Sequence, residues 1–172
     1  MYMIILHKRK KNMDQISLLT PVLILILWTF IIFLIMAFGR VRFMNNPQDA
    51  AHSKDYKDQL PAWVNRASDN YNHLFEQPVA FYAVTLSIVL INDFDNLIVQ
   101  LAWAYVLIRI IHSFVQIMVN IIVLRFLLFA LGWLTIAYMA LSPVSYTHLR
   151  AHETREERGL RRVLVKKNGG GG

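Results

Sequence analysis

Four long apolar runs dominate the hydrophobic pattern of this chain. They lie at about residues 16–38, 67–91, 97–119 and 121–141. A helix needs about 20 apolar residues to cross a hydrocarbon core about 30 Å thick, and each run approaches or exceeds that length. The pattern therefore predicts an all-α fold, a four-helix transmembrane bundle, with little chain left for a separate soluble domain.

The second run is apolar in only part of its length. Its uninterrupted apolar stretch, Val79–Ile91, has 13 residues and is too short to cross the membrane alone. The helix must therefore include the polar turns upstream, which contain Arg66, Asp69, Asn70, Asn72, His73, Glu76 and Gln77. Inside a membrane such side chains face protein or water rather than lipid. Pro78 leaves the carbonyl of Leu74 without its helical donor, so we expect a bend at this depth.

Polar residues recur at helical spacing along the third run. Steps of 4, 3, 4 and 4 residues separate Tyr105, Arg109, His112, Gln116 and Asn120. This spacing places them within a sector of about 80° on one helix face. An arginine at mid-membrane costs at least about 2.5–3.5 kcal/mol. We therefore expect this face to point into the bundle, with Glu76 or Asp69 as the partner of Arg109.

The fourth run carries Arg125 in its first turns. Arg125 and Arg66 lie at the membrane side shared by the first and third loops, so both belong to the same end of the bundle. Gly132, with Ala130 nearby, is expected to allow a close approach between helices.

The formal net charge of +7 lies in the two ends of the chain. Residues 1–12 and 143–172 carry +4 each, whereas 13–142 carry −1. No basic surface combined with stacking aromatic residues indicates nucleic-acid binding.

We interpret residues 1–12 as upstream sequence before a start at Met13, or as a basic collar on the first helix. The tail contains SYTHLRAHET, which resembles a sequencing adapter read through as coding sequence, and we expect it to be non-native and disordered.

Charge in the first loop predicts the orientation. Residues 39–65 contain Arg40, Arg42, Lys54 and Lys57. If the protein starts at Met13, this is the most basic loop, and the positive-inside rule places it in the cytoplasm. If residues 1–12 belong to the protein, the charge bias is nearly balanced and the orientation stays open. The chain has no cysteine, which excludes disulfides, thiolate metal sites and a protein thiol nucleophile.

The charged and polar residues at this end of the bundle form the candidate binding site. They are Arg66, Asn70, His73, Glu76, Arg109, His112 and Arg125. Guanidinium groups bind carboxylates through paired, charge-assisted hydrogen bonds. They also stabilise a ligand thiolate. This combination favours an anionic ligand.

Three other interpretations stay open. The charges could hold the helices in register, or bind another anion, without any catalysis. A metal site could form from Asp69, His73 and Glu76 with His112 as a fourth ligand, although no HExxH motif supports it. A proton or ion pathway could follow the face from Tyr105 to Asn120.

Two segments resemble the MAPEG family, the membrane-associated proteins of eicosanoid and glutathione metabolism. They are NHLFEQPVAFYAV in the second run and RIIHSFVQIMVNIIVLRFLLFALGW across the third and fourth. The likeness is greater to the bacterial branch and extends over about residues 13–142. Its pattern is a Glu-x-Pro segment, an Arg-x-x-His pair and an arginine 16 residues after the first one.

The resemblance implies a homotrimer of four-helix subunits in a bilayer, here the bacterial inner membrane. It also implies glutathione as co-substrate between subunits near the cytosolic face, and a transferase or peroxidase acting on a lipophilic small-molecule electrophile. The helix-two set of the family is matched here by Arg66, Asn70 and Glu76. The set from helices three and four is matched by Arg109, His112 and Arg125. In the family an arginine activates the thiol, and the resemblance implies that role for Arg125. Two positions depart from the pattern, because His73 stands where characterised mammalian enzymes have glutamate and Gln116 where a tyrosine is common.

Overall fold

The computed structural model describes residues 2–44, 60–91 and 94–142, with side chains from residue 13 onward. Every regular element in these segments is helical. The elements are α1 Tyr2–Phe43, α2 Ala62–His73, α3 Gln77–Ile91, α4 Asn96–Phe114, a π-helical turn Val115–Val119 that continues α4, and α5 Ile122–Ser142. Four helical segments are long and apolar enough to cross a membrane: Met13–Phe43, Ala62–Ile91, Asn96–Val119 and Ile122–Ser142. The prediction of an all-α, four-span fold is confirmed.

The observed helices extend beyond the predicted spans at both ends of α1 and at the start of α2. α1 continues to Phe43, and α2 begins at Ala62 rather than near residue 67. Both extensions consist of polar or aromatic turns that an apolar-run criterion does not count. Residues 2–12 form the first turns of α1. The predicted tail, 143–172, lies outside the described residues, as do the middle of the first loop and Asn92-Asp93.

The bundle core is formed by large apolar side chains from α1, α3, α4 and α5. Its fully buried members include Leu25, Phe81, Tyr105 and Met139. The outward faces of the same helices are equally apolar, and Phe126, for example, is 68% exposed in the isolated subunit. In a bilayer the lipid is as apolar as the core, so packing and internal hydrogen bonds hold the helices together.

The second membrane span is broken where Pro78 predicts a bend. α2 ends at His73 and α3 begins at Gln77, with a turn between them. The amide of Leu74 donates to the carbonyl of Asn70 at 3.1 Å, and that of Phe75 to Asn72 at 2.9 Å. A turn of three residues therefore interrupts the second span at the depth where Pro78 predicts a bend, and it leaves the end of α2 inside the bundle.

Two glycines lie at close contacts between helices. A Cβ atom on Gly39 of α1 would lie 2.7 Å from Val64 Cγ2 of α2. A Cβ atom on Gly132 of α5 would lie 2.7 Å from Gln77 Oε1 of α3. Neither contact leaves room for a side chain, and the close approach predicted at Gly132 is confirmed.

Polar contacts connect α1 to the other helices. Trp28 Nε1 donates to Ser113 Oγ at 3.2 Å, and Ser113 Oγ donates to the carbonyl of Arg109 at 3.0 Å. Nearer the first loop, Arg40 Nη2 donates to Ser68 Oγ at 2.6 Å. These contacts fix α1 against α4 and α2, and α4 with its π-helical turn carries half of the buried polar residues in the described segments.

Candidate functional site

The polar face of α4 points into the bundle. Tyr105, Arg109, His112 and Gln116 are all buried, as their spacing predicts. Asn120 was predicted on the same face, and this is wrong. Its side chain is exposed and its φ is 56°, because the π-helical turn ends at Val119 and Asn120 terminates it in the left-handed conformation.

Arg109 is fully buried and bonds to neutral oxygen atoms. Its Nη2 donates to the carbonyl of His73 at 2.8 Å, and its Nη1 donates to Gln77 Oε1 at 3.3 Å. Glu76 or Asp69 was predicted as the partner of Arg109, and the pairing with Glu76 is wrong. The Glu76 carboxylate lies 3.0 Å from His73 Nδ1 and is 59% exposed. Arg109 instead bonds to a carbonyl that the helix break leaves available.

Gln77 was predicted to face protein or water but was not included in the candidate site. It is fully buried; its Nε2 donates to the carbonyl of Phe129 at 2.9 Å, and its Oε1 accepts from Arg109 and, at 3.4 Å, from the Tyr105 hydroxyl. One amide therefore joins α3, α4 and α5. One signal in the sequence indicated this role. Gln77 directly precedes Pro78 in a membrane helix, where the proline leaves backbone groups that need hydrogen-bond partners.

A second group of polar contacts connects α2 to the end of α4. Asn70 is fully buried. In the amide orientation of Gln116 that pairs donors with acceptors, its nitrogen donates to Asn70 Oδ1 at 3.2 Å and its oxygen accepts from Arg125 Nη2 at 3.1 Å. Arg66 Nε donates to the carbonyl of Ile117 in the π-helical turn at 2.8 Å. A cation is favoured at such a helix C-terminus.

An open cavity of about 390 Å³ lies beside these contacts. Its lining residues are His73, His112, Ile122, Arg125, Phe126 and Phe129. The His73 and His112 rings are perpendicular, with centroids 6.4 Å apart. His112 Nδ1 and Arg125 Nε are buried and have no hydrogen-bond partner among the described residues. The cavity thus combines unused nitrogen atoms with an apolar surface.

The family model for the MAPEG family matches residues 18–145, which is most of the chain. The chain belongs to the MAPEG family. No curated protein and no solved structure matches it. With its four apolar helices, this MAPEG protein is an integral membrane protein.

The candidate residues of the MAPEG protein fall into three positions. His73, His112 and Arg125 line the cavity. Asn70 and Arg109 are buried and are not among the lining residues. The other two are Arg66, bonded to the π-helical turn, and Glu76, exposed and bonded to His73. In the described part of the chain, no three His, Asp or Glu side chains are arranged to hold a metal ion.

A second cavity, of about 330 Å³, lies between α1 and the helix break. Aromatic and aliphatic side chains line it, together with the hydroxyl-bearing residues Thr29, Tyr71 and Tyr82. It has no charged lining residue. Its chemistry therefore does not favour an anion, in contrast to the cavity beside Arg125.

The left-handed backbone at Asn120 gives a first testable prediction. We expect Asn120→Ala to be about 1 kcal/mol less stable than Asn120→Gly, because glycine adopts positive φ freely and alanine does not. Both variants lose the bond from Arg125 Nη1 to Asn120 Oδ1, which is 2.8 Å long, so their difference isolates the backbone. Thermal unfolding in detergent measures this difference in stability. Equal melting temperatures for the two variants would contradict the strained conformation.

Proposed function

We propose that this MAPEG protein binds glutathione in the cavity lined by His73, His112 and Arg125. One observation carries the proposal: two residues that line this cavity, His112 and Arg125, each have a buried nitrogen atom, Nδ1 and Nε, that lacks a partner among the described residues. Buried polar atoms are normally hydrogen-bonded, so their partner is expected to come from a ligand. Glutathione supplies carboxylates and a thiol, and a thiolate is an acceptor that a guanidinium stabilises.

The proposed reaction is that of a glutathione-dependent transferase or peroxidase. Arg125 is the proposed catalytic residue, and its guanidinium would hold the thiol of glutathione as the thiolate. In conjugation, sulfur forms a bond to the electrophilic carbon, the leaving group departs with its electron pair, and the thiol proton passes to solvent. In peroxide reduction, two glutathione molecules become the disulfide while a hydroperoxide becomes an alcohol and water.

The apolar part of the cavity fits a lipophilic second substrate. Ile122, Phe126 and Phe129 all come from α5, whose outer surface is apolar. Ile122 is 75% exposed in the isolated subunit, so a neighbouring subunit or lipid must cover it. We propose a homotrimer, in which the neighbour completes the site, with the first loop on the cytoplasmic face of a bacterial inner membrane.

A second candidate is a non-catalytic bundle protein that binds another anion. The bonds of Arg109 favour it, because this arginine is fully buried and its two bonds go to neutral atoms of the fold. Part of the positive charge then serves the bundle rather than a reaction. The two candidates differ in whether a bound thiol is activated.

Titration of the detergent-purified protein with glutathione tests the proposal. We expect binding heat, together with the ultraviolet absorbance of a thiolate at neutral pH. S-methylglutathione is the matched control, since it presents the same carboxylates but cannot form a thiolate. Binding of both ligands without a thiolate signal would favour the non-catalytic candidate. The absence of heat with both would reject glutathione as the ligand.

A further inference from the structure

A continuous set of buried contacts leads from α5 to the wall of the cavity. Gln77 Nε2 bonds to the carbonyl of Phe129, Gln77 Oε1 accepts from Arg109 Nη1, and Arg109 Nη2 donates to the carbonyl of His73. Both Gln77 and Arg109 are fully buried. Neither lines the cavity, whereas His73 and Phe129 do. These contacts therefore reach the site at two backbone carbonyls, that of Phe129 on α5 and that of His73 at the end of α2.

Gly132 makes room for the first of these contacts. A Cβ atom at this position would lie 2.7 Å from Gln77 Oε1, 3.1 Å from Nε2 and 3.2 Å from Cδ. Real Cβ atoms essentially never approach another atom as closely as 2.7 Å, so any larger residue would displace the amide of Gln77. The oxygen that would be displaced is the one that accepts from Arg109.

Arg109 holds the end of α2. His73 is the last residue of this helix, and the carbonyl groups of the last turn lack helical donors. The amide of Glu76 is 3.4 Å from the His73 carbonyl, whereas Arg109 Nη2 is 2.8 Å from it. A buried cation at a helix C-terminus is also electrostatically favourable. The direction in which α2 ends, and with it the placement of the His73 ring, depends on this contact.

We infer that Gly132, Gln77 and Arg109 are positioning residues that set the His73 imidazole against the cavity. Their purpose in ligand binding rests on the proposed function, whereas their effect on His73 does not. Gly132 does not itself line the cavity. A substitution there is expected to change the cavity by moving His73 at the end of α2. A contact that served packing alone would affect stability but leave the His73 ring in place.

The test compares two glycine substitutions whose new Cβ atoms would meet a neighbouring side chain at the same distance. Gly132→Ala places a Cβ 2.7 Å from Gln77, and Gly39→Ala places one 2.7 Å from Val64, which is not part of these contacts. Nuclear magnetic resonance of isotope-labelled histidine in detergent reports the surroundings of each ring, with His73→Gln used to assign the His73 signal. Glutathione titration of the same samples reports binding. Gln77→Met, which keeps the volume but removes the amide, is the second variant.

Gly132→Ala and Gln77→Met are expected to shift the His73 signal and to weaken glutathione binding about tenfold, the effect of losing one hydrogen bond to a charged group. Gly39→Ala should lower the melting temperature without either change. A His73 signal that stays unmoved in both Gly132→Ala and Gln77→Met would overturn the inference. If the wild type gives no heat with glutathione while the His73 signal still moves, the positioning stands and the proposed function fails.

Discussion

Replacing Arg109 with glutamate is expected to abolish the folded protein. The new carboxylate would face two oxygen atoms, the His73 carbonyl and Gln77 Oε1, which now accept hydrogen bonds from the arginine. All three groups are acceptors, and a buried charge without a partner costs more than about 3 kcal/mol. This cost is a large fraction of the 5–15 kcal/mol by which native proteins are stable. The yield of monodisperse protein in detergent measures the outcome.

Arg42→Glu is the matched control for this charge reversal. Arg42 is exposed near the end of α1, so its reversal should leave yield and melting temperature close to wild type. Arg109→Lys, which keeps the charge but lacks the second donor nitrogen, should give an intermediate stability. If Arg109→Glu folded as well as Arg42→Glu, the bonds assigned to Arg109 would not stabilise the bundle.

The second large effect is expected at Arg125. If this guanidinium holds the thiolate, Arg125→Ala should lower turnover of a lipophilic aryl halide about 100- to 1000-fold, the range seen when one preorganised donor is removed from a transition state. Arg125→Lys should recover part of the loss, because lysine restores the charge but not the planar, two-donor geometry. Steady-state rates at saturating glutathione separate this effect from weaker binding.

The control for Arg125 is Arg42→Ala, which removes an exposed arginine that lies outside both cavities. Its turnover should equal that of the wild type. The free energy of unfolding of Arg125→Ala should also lie within about 1 kcal/mol of that of the wild type, since exposed or partly exposed pairs contribute little. Unchanged turnover in Arg125→Ala would show that this residue has no part in the mechanism. It would then favour the second candidate function, anion binding without catalysis.

Local patterns in the sequence predict much of the fold. The length of the apolar runs predicts the four spans, the spacing from Tyr105 to Gln116 predicts the buried face of α4, and Pro78 predicts the interruption of the second span. Each of these depends on rules that act within one helix. The pattern also predicts Gly132 as a close contact, because small residues mark helix approaches in membranes.

The partners of the buried charges could not be predicted in the same way. Matching opposite charges suggested Glu76 for Arg109, but the break at Pro78 leaves a backbone carbonyl nearby, and Arg109 bonds to that instead. The position of Asn120 depends on a π-helical turn that no spacing rule reveals. The sequence also does not show which apolar residues face the core. Phe81 is buried and Phe126 is exposed although both lie in apolar helices, and lipid and core favour the same residue types.

The interruption at Pro78 also affects the surrounding membrane. α3 has 15 residues, which at about 1.5 Å each span about 22 Å, so the second span crosses a hydrocarbon core of about 30 Å only together with turns of α2. The polar side chains of those turns draw water or headgroups toward them. Water and acyl chains then meet at the depth of His73. A polar thiol from the aqueous phase and an electrophile dissolved in lipid could reach the same point without either one crossing the membrane.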